Sequence, residues 1–525
     1  MQITGVEFLE KMKESSRTYT LSGQMEVLVL LSGLSAKYTL QEDSATVSSL
    51  CYLDTFDWRL YDKGFICLRL GEKGYVLTDF SGEFRAQAEG PVSEKLSAQD
   101  FTGGVLGEKL CLLAGIRALL PLVDIVRQSQ SFQLVNRDQK IVLSGSLERN
   151  QLLIQGGEPI DLGGALQIQG VRGYDKILTK VADLVQSRGG KTGYSEERIL
   201  SLALVASGRK PLEYRSQFSI ILDPTESVVQ AAQKIFLQLL EGMERNIPGI
   251  LEDIDSEFLH DFRVALRRTR ALLGSMKKRL PVADVGRFQQ GLQKIGLVTG
   301  PVRDLDVYLL KKDAFHSLLP EGLQEGLSVF LKDLARQRVK ERQRLKKAFR
   351  SKSFQQYLTQ WRGYVENSLL SSAMASGHKP CKKVAVKAIR KRLQRIMKDG
   401  ALIGPQSPDT DLHHLRIQGK KLRYLLEFYR SLFPESEMDV LVKALKKLQD
   451  NLGSFNDLSV QQKMLAQYQN GLAGGEPQKV VPVAAALGGL ITHLHEEQAS
   501  VRQKFEQTFV QFTSAENRNL LDLLF

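Results

Sequence analysis

The spacing of hydrophobic residues changes along the chain, and the change divides the sequence into two parts. Up to about residue 200, short runs with alternating apolar and polar residues are separated by turn signals, as in VSSLCYLDTFDWRLY and GFICLRLGEKGYVLTDFSGEF. Such runs predict antiparallel strands joined by hairpins. The stretches GEKLCLLAGIRALLPLV and YDKILTKVADLVQSRG have helical spacing instead. We therefore predict an α+β first domain with an antiparallel sheet.

From Pro224 onward, apolar residues recur every three or four positions over long stretches such as TESVVQAAQKIFLQLLEGMERN and VAAALGGLITHLHEEQASVRQKFEQTF. This spacing predicts long helices in antiparallel bundles. A chain of 525 residues is also too long for one hydrophobic core. The predicted organisation is an α+β domain over residues 1–205, a linker over 206–222 and an all-α domain over 223–525.

The helical part contains an internal repeat. LHDFRVALRRTRALL at 259–273 matches LHHLRIQGKKLRYLL at 412–426, with the two histidines 153 residues apart. LQKIGLVTGPVRDLDV follows the first copy and LQDNLGSFNDLSV follows the second, and in both the histidine precedes an aspartate, Asp304 or Asp457, by 44 residues. Two blocks that recur at one spacing predict a duplicated unit. Its copies should span about 223–370 and 375–520.

Each repeated helix carries a stripe of basic residues. The stripes are His260, Arg263, Arg267 and Arg270 in the first copy, and His413, Arg416, Lys420 and Arg423 in the second. At about 100° per residue each set falls within about 80°, and it extends roughly 15 Å along the helix. Like charges at this spacing repel unless an anion relieves them. The pattern favours a long polyanion as ligand, although such a stripe can also be a solvated face that pairs with neighbouring acids.

The charge of the chain points the same way. Its net charge is +13, but residues 1–220 hold 25 basic and 26 acidic side chains, so residues 221–525 carry an excess of +14. A one-sided excess favours a polyanionic partner for the helical domain, while a basic surface can also serve solubility alone. With 42% hydrophobic and 25% charged residues, the composition excludes a disordered chain.

Other signals are weak or absent. No run of about 18 uncharged apolar residues and no signal-like start occur, so we expect a cytoplasmic protein without membrane contact. The single cysteines Cys51, Cys67, Cys111 and Cys381 are predicted to be small buried residues. The two motif histidines have no HxxxH or HExxH partner, so neither a metal nor a cofactor is expected, and each histidine should hydrogen-bond a phosphate oxygen or the adjacent loop. Asp304 and Asp457 should pair with the stripes.

With the repeated motif and the RDLDV that follows its first copy, the chain resembles the CHAD domain, the conserved-histidine α-helical domain, over roughly residues 225–515. The resemblance implies two helical bundles related by a pseudo-twofold axis around a basic pore or groove that binds inorganic polyphosphate, which would place the protein at polyphosphate granules. The implied polyphosphate-binding residues are His260, Arg263, Arg267, Arg270 and Arg303, with His413, Arg416, Lys420, Lys421 and Arg423. The basic run KKVAVKAIRKRLQR adds Lys383, Lys387 and Arg390.

The first domain resembles the CYTH domain, the triphosphate-tunnel fold, through YLDTFDWRLYDKGFICLRL at 52–70 and GALQIQGV. It departs from that family's pattern. No Glu-x-Glu-x-Lys strand precedes Ser44, Leu70 replaces an arginine, and Gln167 and Gln169 stand where metal-binding glutamates are implied. A neutral amide does not supply the anionic oxygens that Mg²⁺ favours. The domain is therefore predicted to be degenerate, and the protein to bind polyphosphate without catalysis.

Two alternatives stay open. The first is a Mg²⁺-dependent inorganic triphosphatase of the CYTH type, which could use Arg69, Asp54 and Asp57. The second is a nucleic-acid-binding protein, because an excess of basic residues attracts any polyanion. Aromatic residues interleaved with basic ones would support base stacking, but the stripes have only Tyr424. The sequence does not indicate the oligomeric state or the purpose of the first domain.

Overall fold

Two units divide the chain, Met1–Ser216 and Gln217–Phe525. The computed structural model describes residues 16–21, 31–34, 37–80, 84–93, 95–101, 103–154, 157–472 and 476–525. The first unit is built on an antiparallel sheet and the second is helical, so the predicted α+β domain followed by an all-α domain is confirmed. The predicted linker lies across the boundary between the two units.

The sheet of the first unit has eleven strands among the described residues. They are β1 (Ser16–Leu21), β2 (Thr39–Glu42), β3 (Thr46–Thr55), β4 (Phe65–Leu70), β5 (Gly74–Asp79), β6 (Arg85–Glu89), β7 (Leu96–Ser97), β8 (Ala118–Val135), β9 (Ile141–Leu152), β10 (Ile160–Gly170) and β11 (Lys191–Thr192). The order is β11-β1-β10-β9-β8-β3-β4-β5-β6, with β2 and β7 also paired to β8. The predicted antiparallel sheet is thus extended at one edge, where β1 pairs with β10.

Three α-helices lie in the described part of this unit: α1 (Gly104–Ala114), α2 (Asp175–Ser187) and α3 (Glu196–Ala206). The stretch GEKLCLLAGIRALLPLV, predicted to be helical, is helical only up to Ala114 and enters β8 at Ala118. Gly115 ends the helix with a positive φ of 62°, a conformation that glycine adopts at little cost. Cys51, Cys67 and Cys381 are buried as predicted, but Cys111 on α1 is exposed, so that prediction was wrong for one of the four.

The second unit consists of helices. They are α4 (Val228–Glu252), α5 (Ser256–Ser275), α6 (Val282–Leu310), α7 (Lys312–Leu318), α8 (Glu321–Phe349), α9 (Lys352–Gly363), α10 (Cys381–Ala401), α11 (Asp409–Phe428), α12 (Glu435–Gly471), α13 (Pro477–Gln503), α14 (Phe505–Phe512) and α15 (Ala515–Leu524). Side chains fix where α4 and α5 begin. Ser227 forms a capping box with Gln230, and the Asp255 carboxylate accepts a hydrogen bond from the Glu257 N–H at 2.8 Å.

The two sequence copies have the same helix order. The first copy runs α4, α5, α6 and α8, and the second runs α10, α11, α12 and α13, with the repeated motifs on α5 and α11. Their cores are shared rather than separate. One apolar cluster joins Phe330 and Leu334 of α8 to Leu458 of α12 and Leu487 of α13. Each copy therefore buries part of its apolar surface against the other.

Candidate functional site

The two basic stripes belong to one surface of the second unit. Helices α5 and α11 pack against each other. An ion pair joins them, with Arg268 Nη2 of the first copy 2.7 Å from Glu427 Oε2 of the second. On α5, the apolar residues Phe262, Leu266 and Leu273 are buried in the bundle. The stripe is left on the other face of this helix, as an amphipathic helix requires.

We call the combined surface the basic seam. It comprises Arg263, Arg267, Arg270 and Arg303 of the first copy and Arg416, Lys420 and Arg423 of the second. The charges of these side chains act on one another: Arg263 is influenced by Arg267, Arg303 and Arg270, and Lys420 by Arg416, Arg267 and Arg423. The influence of Arg267 on Lys420 crosses from one copy to the other. The structure thus brings these seven cations together.

Arg263 is a partly buried cation of the first stripe. Its Nη1 donates hydrogen bonds to Thr299 Oγ1 at 2.9 Å and to the Gly296 carbonyl at 3.2 Å, both on α6. Burial and the charge of Arg267 lower its pKa, against the opposing charge of Asp304. Its Nε–H is buried and has no acceptor among the described residues. A buried donor without an acceptor costs about 1–3 kcal/mol, which adds to the cost of placing this cation among the others.

Two cations of the second stripe form ion pairs with acidic residues of their own copy. Arg416 Nη2 lies 3.1 Å from Asp457 Oδ1, and Arg423 Nε lies 2.6 Å from Glu427 Oε1. The Nε–H of Arg416, at the position equivalent to Arg263, is likewise buried with no acceptor in the described part of the chain. The same unsatisfied donor therefore occurs in both copies of the repeat.

Lys420 lies in the centre of this charge cluster. Burial lowers the pKa of its ammonium group to about 8, and the charges of Arg416 and Arg267 act in the same direction. Asp457 opposes them without restoring the ordinary value. The amine is therefore close to losing its proton at physiological pH unless an anion binds beside it.

The motif histidines and aspartates are set around the seam. His413 Nδ1 and Asn456 Oδ1 share a hydrogen bond of 2.7 Å, so this histidine contacts helix α12. His260 is half-buried on α5. Asp457 pairs with Arg416, as expected. Burial raises the pKa of Asp304, and the charges of Arg263 and Arg303 oppose that rise.

Four of the predicted binding residues lie away from the seam. Lys421 is about 140° around α11 from Arg416. Burial lowers its pKa, as do the charges of Arg392 and Arg395 on α10. Arg392 also donates a hydrogen bond to Gln418, so α10 contacts the side of α11 turned away from the stripe. The remaining three, Lys383, Lys387 and Arg390, are exposed on α10, on the side opposite its buried residues.

Sequence reasoning missed two residues of the interface between the copies. Glu427 accepts hydrogen bonds from Arg268 and from Arg423, and so it binds a cation from each copy. The i,i+4 spacing of Arg423 and Glu427 was a signal for one of these contacts. Nothing in the sequence indicated the contact of Arg268, since it spans 159 positions.

The first unit contains a cavity of about 380 Å³. Its described lining comes from β1, β4, β5, β6, β8, β9, β10 and the start of α3, so the sheet curls around it. Leu70 and Gln167, two of the three residues that depart from the CYTH pattern, line this cavity, whereas Gln169 is absent from its described lining. The Arg127 guanidinium also lines it, 2.8 Å from Glu196 Oε1 and 3.6 Å from Glu148 Oε2.

The acids considered for a triphosphatase do not line the cavity. Asp54 is buried and accepts hydrogen bonds from the backbone N–H groups of Leu60 and Tyr61, and burial raises its pKa to about 7. Asp57 pairs with Arg59 at 3.0 Å and with the fully buried Arg117 at 3.3 Å. Both aspartates hold the turn after β3. Arg69 is also absent from the described lining.

The residues present do not fit a divalent metal. Within the described ranges, no three His, Cys, Asp or Glu side chains are close enough together to hold a metal ion. Gln167 supplies only a neutral oxygen, and the Glu196 carboxylate is occupied by Arg127 and by the Tyr52 hydroxyl at 2.8 Å. No metal-dependent step can be derived from this lining.

We expect the affinity of the seam for a polyanion to fall about three- to tenfold between about pH 7 and pH 9, because Lys420 loses its charge. A Lys420→Arg variant should keep its affinity over this range, since arginine stays charged. The stability of the protein without a ligand should change in the opposite direction. The buried charge of Lys420 lowers the free energy of unfolding below about pH 8, and this loss is relieved as the pH rises above that value. Titrations at fixed ionic strength measure the first effect and denaturant unfolding the second.

Comparison with known protein families identifies a match within the helical unit. The family model for the CHAD domain matches residues 234–466, which contain both repeated motif helices. These residues thus form a CHAD domain, and the predicted resemblance is confirmed. No protein with a curated function matches the chain by sequence. None of the helices in the described ranges is long and apolar enough to span a membrane.

Several solved structures match parts of the chain, and the three described below have TM-scores under 0.5. The CHAD domain from the plant Ricinus communis is 23% identical with a TM-score of 0.48, covering 56% of this chain and 96% of that chain. PptA from Streptomyces chartreusis is 16% identical with a TM-score of 0.41, covering 54% and 99%. HpAC1 from Hippeastrum, for which a dominant triphosphatase activity is described, is 12% identical with a TM-score of 0.23, covering 38% and 99%. At these values, none of the likenesses indicates a function for this chain.

Proposed function

We propose that the basic seam of the CHAD domain binds inorganic polyphosphate and does not hydrolyse it. One observation carries the proposal: the Arg268–Glu427 ion pair joins the two repeated helices, and Arg267 of the first copy acts on Lys420 of the second, so the two stripes form one set of cations. Phosphate oxygens accept hydrogen bonds from guanidinium groups in charge-assisted geometry. Such a set of cations suits a ligand with many equivalent phosphates.

The electrostatics of the seam support the same ligand class. Lys420 lies beside three arginines, and its pKa is lowered first by burial and then by their charges, which repel its own. A polyanion that lies along the seam relieves this repulsion and releases its own condensed counterions. The binding energy therefore comes mainly from charge, and the ligand is selected by its charge density and not by a base or a sugar.

The test is a titration of the full chain with long-chain polyphosphate at two ionic strengths. We expect tight binding at low salt and a linear fall of log affinity with log salt, with a slope set by the number of phosphates contacted. The same protein, incubated with tripolyphosphate and Mg²⁺, should release no phosphate. Absence of binding at low salt, or binding that ignores salt, would show the proposal to be wrong.

RNA of matched charge serves as the competitor that separates polyphosphate from nucleic acid. Of the aromatic residues near the seam, Tyr424 packs against Phe428 with ring centroids 6.3 Å apart. A ring engaged in this way is a poor platform for base stacking. We therefore expect polyphosphate to displace RNA at equal phosphate concentration, and the opposite order would favour nucleic acid as the ligand.

A further inference from the structure

The cavity of the first unit has two kinds of wall. Leu68 and Leu70 of β4, Val76 of β5 and Phe80 form an apolar part of the described lining. The strands across the cavity contribute polar residues instead, among them Glu148 of β9. Because strand β3 separates β4 from β8 in the sheet, these two parts come from different regions of the curled sheet. A ligand that fits this lining has an apolar portion and a polar end.

The lining is poor in cations that are free to bind an anion. Arg127 Nε donates to Asn150 Oδ1 at 2.7 Å, and its Nη2 donates to Glu196 Oε2 at 3.0 Å and to the Tyr194 hydroxyl at 3.1 Å. This guanidinium is therefore occupied by the protein itself. Among the described lining residues Arg85 is the other cation, against the carboxylates of Asp79, Glu148 and Glu196. An excess of carboxylates over cations in this part of the lining disfavours a phosphate chain.

Glu148 is the acid with unused hydrogen-bonding capacity. Its contact with Arg127 is 3.6 Å, longer than a hydrogen bond, and no described residue donates a hydrogen bond to its carboxylate. The side chain is 31% exposed, so it is neither fully solvated nor fully paired. Burial raises its pKa, as does the charge of Glu196, against the charges of Arg127 and Arg85. A cationic N–H donor placed beside it would satisfy the carboxylate.

We propose that this cavity binds a small primary alkylamine, with the ammonium group held by Glu148 and the alkyl chain packed on Leu68, Leu70 and Val76. The volume of about 380 Å³ lies within the range of small-molecule sites, roughly 300–1,000 Å³. Apolar walls contribute affinity through burial of the chain, and the single open carboxylate sets its orientation. The proposal concerns the first unit and is independent of polyphosphate binding at the basic seam.

The probe is hexylamine, titrated calorimetrically into the full chain, with hexanol and hexanoate as ligands of matched length. We expect one hexylamine per chain, and affinities for hexanol and hexanoate at least tenfold weaker. Glu148→Gln keeps the shape of the side chain and removes its charge, so it should weaken hexylamine binding about tenfold or more. Glu108→Gln on the exposed face of α1 removes the same charge outside the cavity and should leave binding unchanged.

A second variant tests the same cavity independently, in case Glu148→Gln disturbs the fold. Leu70→Arg introduces a cation at a partly exposed position of the lining and should abolish hexylamine binding. Circular dichroism should show that all variants retain the fold. The proposal is overturned if hexylamine does not bind, if it binds equally to the Glu148→Gln and Leu70→Arg variants, or if hexanoate binds as tightly as the amine.

Discussion

Replacement of Arg263, Arg267 and Lys420 by alanine is expected to weaken the binding of long-chain polyphosphate by about 1,000-fold or more at low salt, because each lost charged contact costs about 1.5 kcal/mol or more. The three residues come from both copies of the repeat, and their charges act on one another across the seam. The slope of log affinity against log salt should also become shallower by about two to three, since about one unit of slope is lost with each phosphate contact. Fluorescence anisotropy of labelled polyphosphate over a salt series measures both quantities.

The matched control removes three cations elsewhere in the same unit. Lys332, Arg336 and Lys340 are exposed on helix α8, and their replacement by alanine lowers the net charge by the same amount. If polyphosphate binds through the seam, this control should lose less than about fivefold in affinity, through the general field alone. Equal losses in the two triple variants would mean that net charge, and not the seam, determines binding.

A single substitution in the first unit is expected to have the largest effect on stability. Asp57→Asn removes the carboxylate that pairs with Arg117, whose side chain is fully buried. Breaking such a pair costs about 3–5 kcal/mol because a buried charge loses its counter-charge. Although burial raises the pKa of Asp57, the charges of Arg117 and Arg59 hold it below its ordinary value. The contribution is therefore present at neutral pH and is lost as the pH falls below about 4.

Urea unfolding, followed by the fluorescence of Trp58, reports on the first unit, since Trp58 is buried beside Asp57. A Trp361→Phe background removes the other tryptophan of the chain. The control is Asp62→Asn, which breaks an ion pair with Arg215 whose two side chains are more than half exposed and which should cost less than about 1 kcal/mol. A loss for Asp57→Asn no larger than that of the control would contradict a structural role for Asp57.

The sequence alone predicted the duplicated helices and most of the seam. The stripes could be recognised because the helical period decides which residues share a face, and the buried Phe262, Leu266 and Leu273 confirm the phase on α5. The helical period also places Lys420 and Lys421 on different faces of α11. The family resemblance nevertheless implied both as binding residues, because they are adjacent in the motif. The positions of Lys383, Lys387 and Arg390 depended on which side of α11 receives α10, and local patterns do not contain that information.

The first unit was harder to predict for a different reason. Asp54 and Asp57 resemble the acids of a catalytic strand end, yet their partners are Leu60, Tyr61 and Arg117, and neither lines the cavity. Burial and counter-charges are properties of the folded chain, and sequence spacing does not reveal them. Similarly, an apolar run of six residues at the start of β8 fits a helix or a strand equally well.

The apolar cluster that joins α8 to α12 and α13 gives the two repeats of the second unit a shared core, as the interface of a homodimer does for two chains. In a homodimer with this architecture, any substitution at the twofold interface would appear on both sides at once. Joining the copies covalently removes that constraint. Position 267 is arginine where its counterpart, 420, is lysine, and Arg303 corresponds to Asn456. The two halves of the seam can therefore differ in the charge and the acidity of their side chains while they keep a common core.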